Sequence, residues 1–431
     1  MEVRVFPGVH GPIAHLVERA HGMRKVASSI LAGSTLKYKK MDKKQQLLTR
    51  GVEKIVDFDN LKKALNSRKK LRVKLGVDPT GDKIHIGRAI QLWKLRLFQE
   101  LGHRVVFIIG DFTALVGDPS DKPEGRSGMT KTEIKKNMKA YLKQIGKIID
   151  VKKAEIRYNS EWFSKMKLDD FLSLANNFSV QQLIQRRNFK ERWDAQKPIT
   201  LKEITYPLLQ GYDSVMVKAD VEIGGYDQLF NLNTGRDVQR LFNQKPQDIM
   251  TFKMLDGLDG RKMSTSWGNV VNITDKPNDM FGKLMSMKDD MINSYFELCT
   301  QLSLEEIKEL QKNNKNPRDL KAILAKEIIS LYHDKKEAEK AEKEFEKVFK
   351  DKETPTDIRE FFCPKDGYSI LEILPHLDLA KSKAEAKRLI QQKGVKVDNQ
   401  VVDNIHFEVK VKEGLIIQVG KRHFAKLIKK S

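Results

Sequence analysis

The stretch "LGVDPTGDKIHIGRA", residues 75–89, decides the fold. It completes the strand-like run "LRVKLGV", breaks at Pro79 and Gly81, and a helical pattern begins near Gly87. An apolar strand entering a tight turn and then a helix is the opening unit of a parallel α/β sheet. The amino end of that helix presents unpaired amides and a partial positive charge, which suits phosphate. His85 adds a donor there, and Gly87 removes a side chain that would keep a nucleotide off the backbone.

Working outward, the same alternation recurs. "RVVFIIGDF", "AEIRY", "VKADVEIG" and "DIMTFKML" read as short buried strands, and "QLLTRGVEKIVDFDNLKKAL", residues 89–101 and "EIKKNMKAYLKQIGKIID" read as helices. Continuous apolar strands separated by helices predict a Rossmann-like doubly wound parallel sheet over residues 41–276, with chemistry at the carboxyl ends of its strands. After Pro277 strand signals stop, and residues 277–350 predict a separate α-helical domain. The charged, Pro- and Gly-containing stretch 351–366 predicts a linker. Residues 367–431 read as two helices, a hairpin and closing strands, a small α+β domain.

The first 40 residues show no sustained period and are punctuated by Pro7, Gly8, Gly11, Pro12, Gly22 and Gly33. Their "GPIAHLVERAHGMRK…GSTL" is similar to a tRNA gene translated in frame, which makes a mis-assigned start with Met41 as natural first residue the reading adopted. A transit peptide is the competing reading, since the segment is poor in acids.

The chain has 431 residues and a formal charge of +22, a field that concentrates polyanions such as nucleic acid. Two cysteines provide neither a disulfide framework nor a zinc pattern. No apolar run approaches a membrane span, and a cytoplasmic protein is expected.

A second stretch, "GLDGRKMSTSWGN" at 257–269, carries Lys262 on a glycine-rich loop. Such a lysine neutralises charge that develops on a leaving pyrophosphate in the transition state. Together the two stretches resemble the HIGH and KMSKS signatures of class I aminoacyl-tRNA synthetases. "GDFTALVGDPS", "YPLLQGYDSV" and "VEIGGYDQLFNLNTGR", in order, narrow the resemblance to the bacterial-type tyrosyl-tRNA synthetases.

That resemblance implies a ligase that activates tyrosine with ATP and passes it to the terminal adenosine of tRNA(Tyr), with Mg2+ on the ATP phosphates and no protein-bound metal. By it, Asp118, Tyr206 and Gln210 hold the substrate ammonium, and Asp213 accepts the phenolic hydrogen. Asp78 contacts the amino acid or adenylate, and Asp227 and Gln228 lie along the ribose and carboxyl side. His85, Gly87 and Lys262 serve ATP, with Thr80, Gly225, Met263 and Ser266 on the same nucleotide. Lys74 stands where many members carry a tyrosine near the substrate hydroxyl and another branch carries lysine. Arg88 replaces the second histidine of HIGH and Thr265 the second lysine of KMSKS, with Arg261 as a candidate substitute cation. The end of the chain resembles an RNA-binding motif of a small-subunit ribosomal protein, with Lys381, Lys383, Lys387 and Arg388 toward RNA phosphates. A homodimer is the family habit.

Structural alternatives stand beside these roles. Tyr206 and Gln210 share a helix face as a polar pair, Asp213 caps, and Asp118 before Pro119 forms a turn. The two signature departures also allow a non-catalytic RNA-binding descendant.

Overall fold

The computed structural model describes residues 42–118, 129–350, 358–420 and 423–428. The expectations for residues 1–41 lie outside them.

Six strands form the central sheet: β1 (Val52–Val56), β2 (Arg72–Val77), β3 (Arg104–Ile109), β4 (Glu155–Tyr158), β5 (Val221–Gly225) and β6 (Asp248–Phe252). Their order is β1-β6-β5-β2-β3-β4, parallel throughout except β1, which runs antiparallel to β6. The chain leaves β2 toward β3 on one side and fills β5 on the other, so a crevice opens at the carboxyl ends beside β2.

Both faces of the sheet are covered, which explains the continuous apolar strands. On β3, Val105, Phe107 and Ile109 join the core beneath the helix Ile86–Glu100, whereas Val106 and Ile108 pack with Trp162, Phe163, Tyr206 and Leu209 on the other face.

The stretch 46–65, read above as one helix, is divided by β1. The helix Lys43–Thr49 ends before Gly51, which has φ +62°, and a second helix, Phe58–Asn66, starts after Asp57, whose side chain accepts from Asn60 N. Propensity there was ambiguous, and pairing with β6, nearly 200 residues onward, decided it.

Residues 277–350 are helical, but they do not pack apart from the sheet. Phe281, Leu284, Tyr295, Phe296 and Ile328 belong to the same continuous core as Leu95, Phe98 and Phe252. Arg50 donates to the carbonyls of Phe296, Glu297, Thr300 and Leu302, and Trp93 Nε1 donates to Tyr332 Oη at 3.1 Å. Helix carbonyls left open at a carboxyl end are satisfied from the other unit.

The C-terminal unit has its own core of Ile370, Ile373, Leu374, Ile390, Val395, Ile417 and Leu427. Its strands are β7 (Arg359–Phe362), β8 (Gly367–Ser369), β9 (Val395–Val397), β10 (Gln400–Val402), β11 (Glu408–Lys410), β12 (Ile416–Val419) and β13 (His423–Ile428). Five of them form a sheet in the order β10-β9-β12-β13-β7, and β8 pairs β11. β7 falls inside the stretch expected to be linker. It is held by parallel pairing with β13, more than 60 residues later, so its own charged composition did not reveal it.

Candidate active site

Two polar chains meet at the carboxyl end of β2. Asp78 follows that strand and accepts hydrogen bonds from Thr113 Oγ1 at Oδ1, 2.7 Å, and from Tyr206 Oη at Oδ2, 2.9 Å. The backbone beside it must be bare: a β-carbon on Gly110 would lie 2.0 Å from Asp78 Oδ1. Burial and the neighbouring carboxylates of Asp78 and Asp118 raise the Tyr206 phenol well above its ordinary range, so it remains a donor.

From Thr113 the first chain continues inward. Asn159 Nδ2 donates to Thr113 Oγ1 at 2.9 Å and to Asp213 Oδ2 at 3.4 Å, and Asn159 Oδ1 accepts from Phe112 N. Trp162 Nε1 donates to Asp213 Oδ1 at 2.9 Å. Asp213 is buried, and desolvation, opposed by Lys74, pushes its carboxyl up to about 7. A buried carboxyl with its proton near neutrality is poised either to accept or to donate a hydrogen bond.

The second chain starts at Asp118, where Arg186 Nη2 approaches Oδ1 at 3.1 Å and Gln228 Nε2 donates to Oδ2 at 2.8 Å. Asn231 Nδ2 then bridges Gln228 Oε1 and Gln210 Oε1, each at 3.0 Å. Gln210 Nε2 donates to Glu222 Oε1 at 3.3 Å, and Glu222 pairs with Lys74 at 2.9 Å. Lys74 Nζ also donates to Gln210 O and Ser214 Oγ. Lys74 and Glu222 are neighbours across β2 and β5 and both are almost fully buried, a cost that holds only because each is paired and hydrogen-bonded.

At the nucleotide side, His85 caps the helix Ile86–Glu100, its Nδ1 accepting from Arg88 N at 3.3 Å. Arg88 turns back from the helix: its guanidinium donates to Tyr141 Oη and, at 3.4 Å, to Thr80 Oγ1. The loop at 257–269 comes over this helix end. A β-carbon on Gly87 would lie 3.0 Å from Met263 Sδ, and Lys262 Nζ lies 3.9 Å from Asp227 Oδ2. Gly225 allows the same closeness on the other side, where a β-carbon would stand 2.5 Å from Asp227 Oδ1.

One residue staples that loop. Asn269 Nδ2 donates to Lys262 O at 3.1 Å and Asp259 Oδ1 at 2.8 Å, and its Oδ1 accepts from Ser264 N at 2.8 Å. Arg261 is engaged elsewhere, bonded to Asp259 and stacked 4.9 Å from the Trp267 ring centre. Thr265 is exposed and opens the short turn Thr265–Trp267, with Ser266 at its middle.

Residues 66–350 match the family model for class I tRNA synthetases (W and Y), and residues 372–415 match the S4 domain. The tyrosine–tRNA ligase of Carboxydothermus hydrogenoformans is 44% identical over 89% of this chain and 97% of its own length. The chain belongs to the tyrosyl-tRNA synthetases. The tyrosine–tRNA ligase of Thermotoga maritima is 42% identical, again over 89% of this chain and 96% of its own. Among solved structures, a C-terminally truncated mitochondrial tyrosyl-tRNA synthetase of Aspergillus nidulans superposes with a TM-score of 0.59 at 23% identity, covering 77% of this chain and all of its own, a likeness of fold.

Within this synthetase the expected site residues fall into two groups. Asp78, Tyr206 and Asp213 are linked through Thr113 and Asn159, and Asp118, Gln210 and Gln228 through Asn231. Lys74, which the resemblance sets near the substrate hydroxyl, places its ammonium on Glu222, Ser214 and the Gln210 carbonyl, close enough to Asp213 that its charge opposes the rise of that carboxyl. Arg261, the candidate substitute cation, is held by Asp259 and Trp267.

Sequence reasoning passed over Thr113, Asn159, Trp162, Glu222, Asn231 and Asn269. Asn159 had a usable signal, being a polar residue just past the carboxyl end of β4, where parallel sheets place their sites. In the C-terminal unit Lys381, Lys383, Lys387 and Arg388 are exposed on or beside the helix Lys383–Gln391, with Lys383 paired to Glu372 and Arg388 to Glu385.

Proposed function

We propose that this tyrosine–tRNA ligase selects its amino acid with Asp213 and activates it between the helix end at His85 and Gly87 and the loop carrying Lys262. The tyrosine carboxylate attacks the α-phosphorus of MgATP, forming the tyrosyl adenylate and releasing pyrophosphate. The terminal ribose hydroxyl of tRNA(Tyr) then attacks the adenylate carbonyl and AMP leaves. No covalent enzyme intermediate enters, so positioning and electrostatics carry the rate.

The observation that carries the reading is the Asp213 carboxyl, buried and oriented by Trp162 and Asn159. A phenol completes its hydrogen bonding, whereas phenylalanine leaves a desolvated carboxylate one donor short, a strong form of amino-acid rejection. The ammonium of the substrate goes to Asp118, Tyr206 and Gln210, with Arg186 yielding Asp118 in part. His85, Gly87, Thr80, Gly225, Met263 and Ser266 line the nucleotide, and Asp227 and Gln228 its ribose side. Arg88, tied to Thr80 and Tyr141, stiffens the turn that the second histidine of HIGH would otherwise serve. Magnesium enters with the ATP phosphates.

Lys381, Lys383, Lys387 and Arg388 meet tRNA phosphates, and two subunits share the tRNA as a homodimer. Among the described residues no helix is long and apolar enough to cross a membrane. Both free thiols, Cys299 and Cys363, are buried, consistent with a reducing cytoplasm. The RNA-binding descendant finds no support beyond Arg88 and Thr265, since the relatives at 42–44% identity are ligases.

The test is ATP–pyrophosphate exchange with each amino acid in turn. Exchange that depends on tyrosine alone is the expected result, and a folded, tRNA-binding protein that exchanges with none refutes it.

A further inference from the structure

The helix Lys131–Ile145 has two unlike faces. Its inner face grips the turn between Asp78 and the helix Ile86–Glu100. Asn137 Nδ2 donates to Pro79 O at 2.9 Å, Gln144 Nε2 donates to Asp82 O at 2.7 Å, Gln144 Oε1 accepts from Ile84 N at 2.9 Å, and Tyr141 Oη accepts from Arg88.

The outer face is a row of ammonium groups. Lys131, Lys135, Lys139 and Lys143 recur at every fourth residue and so line one side of the helix, with Lys136 beside them, and all five are exposed. At 1.5 Å per residue the row is roughly 18 Å long. Among the described residues no ion pair engages any of the five. The helix has one carboxylate, Glu133, which is consumed in a capping box with Thr130.

Such an arrangement works against the helix that carries it. Like charges four residues apart repel, and Lys131 in the first turn opposes the helix dipole, while Glu133 in that turn and Lys143 in the last favour it. No ion pair among the described residues relieves the repulsion along the row, whereas a polyanion laid along it would. The basic helix of the C-terminal unit contrasts with it, because Lys383 and Arg388 there already have carboxylate partners.

We infer that the outer face of Lys131–Ile145 is a docking surface for the phosphate backbone of the tRNA substrate, seated directly behind the turn that serves ATP. This rests on the ligase reading. The lysines meet phosphate, so they place the RNA and do not read its bases.

The test uses the full chain carrying Lys135→Gln, Lys139→Gln and Lys143→Gln together. It compares aminoacylation at varied tRNA(Tyr) and salt with tyrosine-dependent pyrophosphate exchange, which needs no tRNA. KM for tRNA is expected to rise roughly tenfold or more, and the slope of log affinity against log salt to become shallower by about two to three, close to one for each phosphate that a lysine no longer neutralises. Exchange is expected to hold at the wild-type rate, and Lys→Arg at the same three positions to keep the wild-type KM. An unchanged KM for tRNA overturns the inference. So does an exchange rate that falls in step with aminoacylation, which would assign the lysines to the ATP turn. A wild-type chain with no exchange at all strikes the ligase reading itself, and this inference with it.

Discussion

Gly87 and Met263 touch across the two signatures: a β-carbon built on the glycine would lie 3.0 Å from the methionine sulfur and 3.2 Å from His85 Nδ1. The strand-turn-helix unit near the start of the fold and the loop that follows β6 are thus one surface. Gly87→Ala must push the loop and the imidazole apart by a few tenths of an ångström. It is expected to raise KM for ATP and slow pyrophosphate exchange about tenfold, roughly 1.4 kcal/mol of transition-state binding, with KM for tyrosine unchanged. Exchange kinetics at varied ATP and varied tyrosine separate the two.

Asn269 holds the same loop from its far end through Lys262 O, Asp259 and Ser264 N. Asn269→Ala leaves Lys262 in place while loosening its backbone. The expected result is a fall in the exchange rate of about 10- to 100-fold, since small misplacements of a catalytic group are costly, with thermal stability changed by less than about 1 kcal/mol. Equal losses of stability and rate would refute a positioning role.

Asp213 makes a pH prediction. Its carboxyl is pushed up to about 7, first by desolvation, while Lys74 opposes the rise. The groups around it are Lys74, Glu222, Trp162 and Asn159, and the ionised form is the one that accepts the tyrosine phenol. Tyrosine kcat/KM in exchange is therefore expected to rise with pH through about 7. A folded-state value above the unfolded carboxyl value also means that the folded chain binds a proton the unfolded chain has released. Its stability contribution is full below about pH 4 and is lost as pH rises through about 7. Asp213→Asn should accordingly raise the melting temperature more at pH 8 than at pH 5, and bring tyrosine and phenylalanine closer in kcat/KM by roughly a hundredfold or more.

The buried pair Lys74–Glu222 makes a stability prediction. Removing one partner strands a desolvated charge, so Lys74→Met or Glu222→Gln alone is expected to cost about 3–5 kcal/mol in denaturant unfolding. Lys74→Met with Glu222→Met, which removes both charges, should recover much of that loss. A double variant as unstable as the sum of the single ones would show that the two do not act as a pair.

How far the sequence alone reached follows from which interactions are local. The buried strands of the sheet, its main helices, the turn at Asp78 and the loop at Lys262 were legible because each is specified within about 20 residues by apolar period, Pro, Gly and cap chemistry. Tyr206, Gln210 and Asp213 share a helix face by spacing alone, and that too could be read. What tertiary structure decided is every relation across the chain. β1 and β7 exist because β6 and β13 pair with them, and Lys74 finds Glu222 because the register of β2 against β5 sets the two side by side. The helices after Pro277 share the core of the sheet because Arg50 and Trp93 reach into them. A residue's own type states what partner it needs, and only the folded chain, by bringing distant segments within hydrogen-bond distance, determines which partner it finds.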